Sequence, residues 1–401
     1  MVAPLLRFTE FTDDWEETTL ENLAEVERGK FSVRPRNDPR YFDGEMPFVQ
    51  TGDVAGSDMY LKGYSQTLNA DGIKVSKVFP ADTILITIAA NIGDTTITRY
   101  AVACPDSVVA IQSKKDKANT IFLKNLIDLQ KEVLDSQATQ NAQKNINLQV
   151  LKPLELFAPS IEEQTKIASF LSNVDEKISQ RTQKHQLLSQ YKQGMMQKLF
   201  SQQIRFKADD GSEFGEWEEV ALSKVSDVRD GTHDSPSYVK DGYPLITSKN
   251  LKNGKLDLTD INLISEDDYL NINKRSAVNI GDIIFGMIGT IGNPVLLNSD
   301  GFAIKNVALI KEKDELLNIY LIHYLNSSFF AKQVALLNAG NTQKFLALGQ
   351  IRSLSIHKPQ LAEQTKIANF LSAIDQKIEV VAQQIEQAKQ WKKGLLQQMF
   401  V

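Results

Sequence analysis

The sequence predicts a mixed α/β protein of the α+β class: two pseudo-repeated globular domains separated by an antiparallel two-helix coiled coil. Three observations point there. A twenty-residue block recurs at an offset of 200 residues. Short β-branched runs bounded by Gly, Pro and Asp, followed by helix-spaced apolar segments, occur in both halves. Each copy of the block opens an apolar seam with alternating steps of four and three.

The block is Pro159-Ser-Ile-Glu-Glu-Gln-Thr-Lys-Ile-Ala-Ser-Phe-Leu-Ser-Asn-Val-Asp-Glu-Lys-Ile178. It returns as Pro359-Gln-Leu-Ala-Glu-Gln-Thr-Lys-Ile-Ala-Asn-Phe-Leu-Ser-Ala-Ile-Asp-Gln-Lys-Ile378, identical at thirteen of twenty positions. Each half also opens alike, with Arg7-Phe8 leading to Trp15-Glu16-Glu17 and Arg205-Phe206 leading to Trp217-Glu218-Glu219. Between these anchors the halves diverge, sharing Gly29 and Gly231 in loops, Asn91-Ile92-Gly93 beside Thr290-Ile291-Gly292, and Gln143-Lys144 beside Gln343-Lys344. The runs 83–88 and 282–288 read as buried strands, and 121–135 and 315–337 as helices.

The first seam runs Ile167, Leu171, Val174, Ile178, Arg181, His185, Leu188, Lys192, Met195, Leu199. The second runs Ile367, Leu371, Ile374, Ile378, Val381, Ile385, Ala388, Lys392, Leu395, Met399, nine of ten apolar, as a partner helix requires. Ser160 and Glu163 have capping-box spacing at the start of the first helix, whereas Gln360 replaces the serine in the second. The expected boundaries are a globule over 1–158, a long helix over 159–202, a globule over 203–358 and a long helix over 359–401. At about 1.5 Å per residue each helix spans roughly 60 Å. Two heads held on such a rod, with neighbouring termini, suit a long rigid ligand such as duplex DNA.

Composition narrows the class. The 401 residues carry 45 Lys+Arg against 50 Asp+Glu, mildly acidic, which excludes an all-over cationic coat and leaves room for local basic faces. One cysteine, Cys104, excludes an internal disulfide and a paired-cysteine zinc site. The start has no signal-peptide layout and no apolar run reaches membrane-spanning length, so a soluble cytoplasmic protein without membrane contact is expected. No phosphate-binding glycine loop occurs; Gly286-Met-Ile-Gly-Thr-Ile-Gly292 reads as strand and turn. His185, His233, His323 and His357 form no metal-binding spacing. Pro105-Asp106 followed by Gln112-Ser-Lys114 has the order of a nuclease core but lacks its second carboxylate. No catalytic residue and no metal site are expected. Local charge favours DNA. The stretch 177–207 has seven cations and no acid, and the loop 28–41 carries Arg28, Lys30, Arg34, Arg36 and Arg40 with Phe31 and Tyr41 interleaved.

With these residues the chain resembles the specificity subunit of type I restriction–modification enzymes. The resemblance rests on the doubled Pro-x-x-x-Glu-Gln-x-x-Ile-Ala-x-Phe-Leu-Ser-x-x-Asp-x-Lys-Ile blocks, the Arg-Phe…Trp-Glu openings and the Gln-Lys pairs before each block, and it covers essentially the whole chain. It implies two target recognition domains, each reading half of a split, asymmetric double-stranded DNA sequence, with the long helices as ruler and docking surface for two methyltransferase subunits. Those partners would bind S-adenosylmethionine and methylate adenine, and motor/restriction subunits would use ATP and Mg2+; no cofactor is expected in this chain. The glycine before the second Gln-Lys pair (Gly340) is absent before the first, where Thr139-Gln140-Asn141 stands.

Within that frame, base contacts are assigned to Arg28, Lys30, Arg34, Arg36, Arg40, Tyr41, Gln50 and Thr51 in the first half. In the second half they are assigned to Thr232, His233, Ser235, Tyr238, Thr247, Ser248, Lys249 and Asn250, since amides suit adenine and cations suit guanine. Gln143, Lys144, Gln343 and Lys344 are further DNA contacts, the lysines and the basic end of the first helix taking phosphates. The rival readings are a two-headed protein scaffold without DNA specificity and, more weakly, a nuclease with carboxylates that spacing does not reveal.

Overall fold

The computed structural model describes residues 3–89, 91–138, 145–289, 291–338 and 345–401. The chain divides into two compact units, Met1–Arg181 with Gln384–Val401, and Thr182–Gln383. Each long helix is therefore shared between the units.

In the first unit a four-stranded antiparallel sheet has the order Ala24–Arg28, Val108–Ser113, Ile84–Thr87, Thr95–Ile97. Its central strands bury both faces, which explains why their sequences are continuously apolar rather than alternating. Ile84, Ile86, Val109 and Ile111 pack with Phe122, Leu123 and Leu126 of the helix Thr120–Leu129. Leu85, Val108 and Ala110 point the other way, onto Val49, Phe79, Val102 and Cys104. Those residues belong to or adjoin a second sheet, ordered Gln66–Leu68, Phe42–Phe48, Val102–Ala103, Val78–Phe79, in which Phe42–Phe48 and Val102–Ala103 are parallel.

The second unit repeats this plan. Its first sheet runs Asp227–Asp230, Val307–Lys311, Ile283–Gly286, Gly292–Leu296, with Ile283 and Phe285 facing the helices and Ile284 facing the second sheet. The second sheet differs at its edge. Tyr238–Val239 pairs outside Asn262–Ile264, whereas in the first unit Val78–Phe79 pairs on the opposite side, beyond Val102–Ala103. After the strand Asn262–Ile264 comes an eleven-residue helix, Glu266–Ser276, where the first unit has the five-residue Ala70–Lys74. Gly286-Met-Ile-Gly-Thr-Ile-Gly292 joins two antiparallel strands, as its reading as strand and turn expects.

Each helix expected over 121–135 and 315–337 is a pair. Gln130 separates Thr120–Leu129 from Lys131–Ser136, and the Ser327 hydroxyl accepts from the Phe330 N–H at 3.3 Å to start Ser328–Asn338 after Asn318–Leu325. Apolar spacing continues through both breaks, so periodicity alone does not reveal them.

The duplicated motif builds the same lock in each unit. Glu163, almost wholly buried, accepts from Arg7 through Nε at 2.8 Å and Nη2 at 2.7 Å, and from the Trp15 indole at 3.4 Å. Glu363 accepts from Arg205 at 3.0 and 2.7 Å and from Trp217 at 2.9 Å. The neighbouring glutamines are equally spent. The Gln164 amide accepts from the Asn119 N–H and donates to the Lys117 and Pro159 carbonyls, and Gln364 does the same with Leu317, Glu315 and Pro359. Every polar atom of these buried side chains thus meets a partner, as burial demands. One expectation changes: Ser160 does cap the Glu163 N–H at 3.3 Å, but the Glu163 carboxylate serves Arg7 and Trp15 instead of completing a capping box.

The long helices are Ile161–Phe200 and Leu361–Met399. In the first unit the opening of the first and the end of the second share a core: Ile167, Leu171 and Val174 with Leu395, Met399 and Phe400, against which Ile178 packs. Lys392 pairs with Asp175 at 2.6 Å, and the N-terminal segment lies here too, with the Leu6 N–H on the Gln398 carbonyl at 2.8 Å. In the second unit Ile367 and Leu371 share a core with Met196, Leu199 and Phe200, and Lys192 pairs with Asp375 at 2.6 Å. Ile374 is buried and Ile378 half-buried. The polar lysines that interrupt both seams thus each find an aspartate from the other helix.

Candidate nucleic-acid interface

One group of candidate residues follows the point where the chain crosses from one sheet to the other, and a second group, Gln50, Thr51 and Thr247 to Asn250, follows a strand of the second sheet. In the first unit the strand Ala24–Arg28 ends on Gly29, whose N–H bonds the Val108 carbonyl at 2.9 Å. A side chain on Gly29 would stand 2.3 Å from the Pro105 carbonyl oxygen, so only glycine allows this crossing. Gly231 in the second unit has the same role, bonding Val307 at 3.0 Å, with the Ile304 carbonyl oxygen 2.3 Å from a would-be Cβ.

In the first unit this crossing brings two arginines onto Asp106, one on its backbone carbonyl and one on its carboxylate. Arg28 donates through Nε to the Asp106 carbonyl, and Arg36 Nη2 meets the Asp106 carboxylate at 2.8 Å. Arg34 donates to the Val33 carbonyl at 2.8 Å, and Arg40 is held by Asp38 at 2.6 Å with its guanidinium 5.6 Å from the Tyr41 ring. That pairing holds the Asp38 carboxyl below its ordinary range through the Arg40 hydrogen bonds. Lys30 is exposed. Gln50 and Thr51 open the helix Thr51–Ala55; Gln50 donates to Gln66 at 2.9 Å, and its backbone N–H goes to Asp53 at 2.8 Å.

In the second unit the acid is Asp230, buried at the end of Asp227–Asp230. Its carboxylate takes Arg275 on one oxygen and the His233 Nε2 on the other at 2.9 Å, while His233 Nδ1 lies 2.8 Å from the Asn306 side-chain oxygen. Both ring nitrogens can donate at once only in the imidazolium form, and Asn306 and Asp230 accordingly raise the His233 pKa from its usual value. Thr232 caps the Asp234 N–H at 3.1 Å, Ser235 accepts from Lys305 at 2.6 Å, and Tyr238 is exposed. Lys249 pairs with Asp260 at 3.3 Å.

Thr247, Ser248 and Asn250 have structural duties. Asn250 is buried; it accepts from the Thr247 N–H at 3.0 Å and donates to the Asp257 carbonyl at 3.0 Å, so its amide closes a turn and is not presented to a base. Ser248 is buried as well, its hydroxyl aimed at the Asn306 carbonyl at 3.4 Å. Gln143, Lys144, Gln343 and Lys344 lie outside the described residues.

The family model for the type I restriction modification DNA specificity domain matches the chain twice, over residues 12–190 and 215–390. The chain belongs to that family. Its similarity to known members runs nearly end to end. It is 26% identical over 391 residues to the type I restriction enzyme MjaVIII specificity subunit of Methanocaldococcus jannaschii, covering 89% of this chain and 88% of that one. It is 20% identical over 400 residues to the EcoBI specificity subunit of Escherichia coli, covering 94% and 82%. Among solved structures, the S subunit of a type I restriction–modification system from M. genitalium superposes with a TM-score of 0.64 at 15% identity, covering 100% of this chain and 99% of that chain, a likeness of fold. A chain from a structure of type I system assembly and conformational transition gives 0.59 at 15% identity, covering 95% and 96%.

For a type I specificity subunit, the division between frame and loops is the informative feature. The residues that carried the resemblance in the sequence (Arg7, Trp15, Glu163, Gln164 and their second copies) turn out to be buried or half-buried fastenings. The groups that organise the exposed loops, namely Asp106, Asp230, Arg275, Lys305 and Asn306, were not singled out as DNA contacts from sequence. The adjacency of Asp230 to Gly231-Thr232-His233 was the one local hint; Arg275 comes from a helix 45 residues further on. Among the described residues no helix is long and apolar enough to cross a membrane.

Proposed function

We propose that this specificity subunit reads a bipartite, asymmetric duplex sequence, one half with each globule, and that it docks two methyltransferase subunits and through them motor/restriction subunits. The single observation that carries this is one fold built twice, with matching buried locks and unlike loops at the same crossing. Two copies of a frame with different loops suit two different half-sites, because side chains on loops carry base readout while the frame only holds them. Arg28, Lys30, Arg34, Arg36, Arg40 and Tyr41 serve the first half-site, together with Gln50 and Thr51. Thr232, His233, Ser235, Tyr238 and Lys249 serve the second. Gln143, Lys144, Gln343 and Lys344 remain assigned to DNA on the sequence reading, the lysines to phosphates.

In this reading the long helices run antiparallel as a coiled coil and set the distance between half-sites. Support comes from their unbroken length of 40 and 39 residues and from seam positions that stay buried or half-buried. The chain itself does no chemistry: S-adenosylmethionine, ATP and Mg2+ belong to the partner subunits, and the complex works in the cytoplasm.

The test is a ruler experiment. Four residues inserted near Gln183 lengthen the helix by about 6 Å. Methylome sequencing of cells carrying the intact system should then show an unspecified spacer longer by about one or two base pairs at the 3.4 Å rise of duplex DNA. The original spacer after insertion rejects the ruler. A single continuous target, or no target, rejects the two-headed reading.

A further inference from the structure

At the same point of the fold each unit ties an acid to an arginine from another segment, Asp106 to Arg36 in the first and Asp230 to Arg275 in the second. Arg28 pairs in register with Val109, and Asp230 pairs with Ala308, each as the last residue of its strand before the crossing glycine. In the first unit the strand-end Arg28 rests on the backbone carbonyl of Asp106, in the turn before Val108–Ser113, and the Asp106 carboxylate is left to Arg36. In the second unit the strand end supplies the acid, Asp230, and the turn before Val307–Lys311 supplies Lys305 and Asn306. The tied arginine comes from elsewhere in each: Arg36 from the loop in the first unit, Arg275 from the last turn of Glu266–Ser276 in the second.

We propose that Arg275 is a specificity-determining residue of the second globule, held in reading position by Asp230, and that the Asp106 carboxylate positions Arg36 in the same way in the first. This rests on the reading that each globule recognises one half of a DNA target. The Asp230 side chain is 7% exposed while that of Arg275 is 67% exposed, so the acid is fixed and the guanidinium stands in solvent. A guanidinium has five N–H donors. Asp230 engages Nη2, which leaves the outer edge free for the paired acceptors of guanine.

The base of the Arg275 arm is also held, since Arg229 Nη1 donates to the Arg275 carbonyl at 3.2 Å and is itself fastened to Asp227 at 2.6 Å. An arm oriented before DNA arrives loses less rotamer freedom on binding. Lys305, whose amine rests on the Ser235 hydroxyl, adds a cation on the loop of the same globule for the phosphate chain. Because the helix bearing Arg275 has only a five-residue counterpart in the first unit, the two globules approach DNA with arms of different origin.

The experiment is methylation of a duplex library randomised in both half-sites, using the complete modification complex carrying Arg275→Ala, Arg275→Gln or Asp230→Asn. Arg275→Ala and Arg275→Gln should each cut discrimination at one or two positions of one half-site at least tenfold and leave the other half-site unchanged, with complex assembly and melting intact. Arg275→Lys should not restore it, since an ammonium lacks the guanidinium fork. Asp230→Asn should weaken discrimination at the same positions. Asp106→Asn should act on the opposite half-site. Unchanged discrimination with Arg275→Gln, or a uniform loss over both half-sites, overturns the proposal. If exchange of the whole loop 232–238 also leaves both half-sites untouched, the underlying reading of the globules as DNA readers is what fails.

Discussion

Arg205 grips Glu363 with a two-point hydrogen bond, Nε to Oε1 at 3.0 Å and Nη2 to Oε2 at 2.7 Å, across 158 residues of sequence. Glu363 is fully buried and also accepts from Trp217. It thereby ties the entry segment of the second unit to the first turn of its long helix, and the Arg205 pKa is raised by the same bond. Removing one partner of a buried pair leaves the other unpaired, which costs far more than the net worth of the pair. Glu363→Ala should therefore destabilise the second unit by about 3 kcal/mol, with Glu163→Ala doing the same to the first unit through Arg7. Urea melts of the two variants check this, and equal stability to the parent protein would remove the lock from its structural role.

The seam lysines lead to a charge-reversal prediction. Lys192 is mostly buried and meets Asp375 at 2.6 Å. Lys192→Glu places two carboxylates together and should cost about 1–2 kcal/mol, modest because Asp375 is nearly half exposed and water screens the repulsion. Asp375→Lys in the same chain should recover most of the loss. Thermal melts of the single and double variants give the coupling, and additive losses would show that the pair does not interact.

At the loop 28–41, Arg34 and Arg36 are exposed and differ in what holds them. Arg34 rests on backbone carbonyls, whereas Arg36 is tethered to Asp106. Arg34→Ala and Arg36→Ala should each relax sequence preference at one half-site by roughly tenfold per lost base contact and leave the other half-site as it was. Methylation mapping of a target library reads this directly. Both half-sites intact in both variants would take the loop out of recognition.

His323 gives a pH prediction for the second unit alone. Burial lowers its pKa from 6.5 to about 4, with the nearby Lys192 charge adding to the effect and Asp375 opposing it. Between those two values the unfolded chain binds a proton that the folded chain does not. Stability of the second unit should therefore fall as the pH drops from 6.5 towards 4. The first unit lacks this group. The Asn119 and Leu317 N–H groups both bond the block glutamine, which aligns Asn125 with His323. His323→Asn should flatten the acid limb of the second unit's stability, followed by hydrogen exchange against pH. An unaltered acid limb would assign it to carboxylates instead.

Much of this molecule is readable from residue order because duplication makes the important positions visible twice. The repeated block locates both long helices, and runs such as Ile84–Thr87 and Ile283–Gly286 announce strands buried on both faces. The chemistry of the block was less readable. Glu163 has the spacing of a cap, yet its partner is Arg7, 156 residues away. The loops were least readable. Asn250 has the right side chain to read adenine, but it is buried in its own turn. Arg275 carries no local signal at all until Asp230 is found beside it.

Sequence by itself therefore determined the duplication, the fold class, the long helices and the family, since periodicity and repeated motifs are properties of residue order. Only the tertiary structure decided which polar side chains are fastenings and which are left for a ligand. A donor's availability depends on the acceptors that folding brings within about 3 Å of it, and acceptors such as Glu163 for Arg7, Asp106 for Arg36 and Asp230 for Arg275 lie tens to hundreds of residues away along the chain.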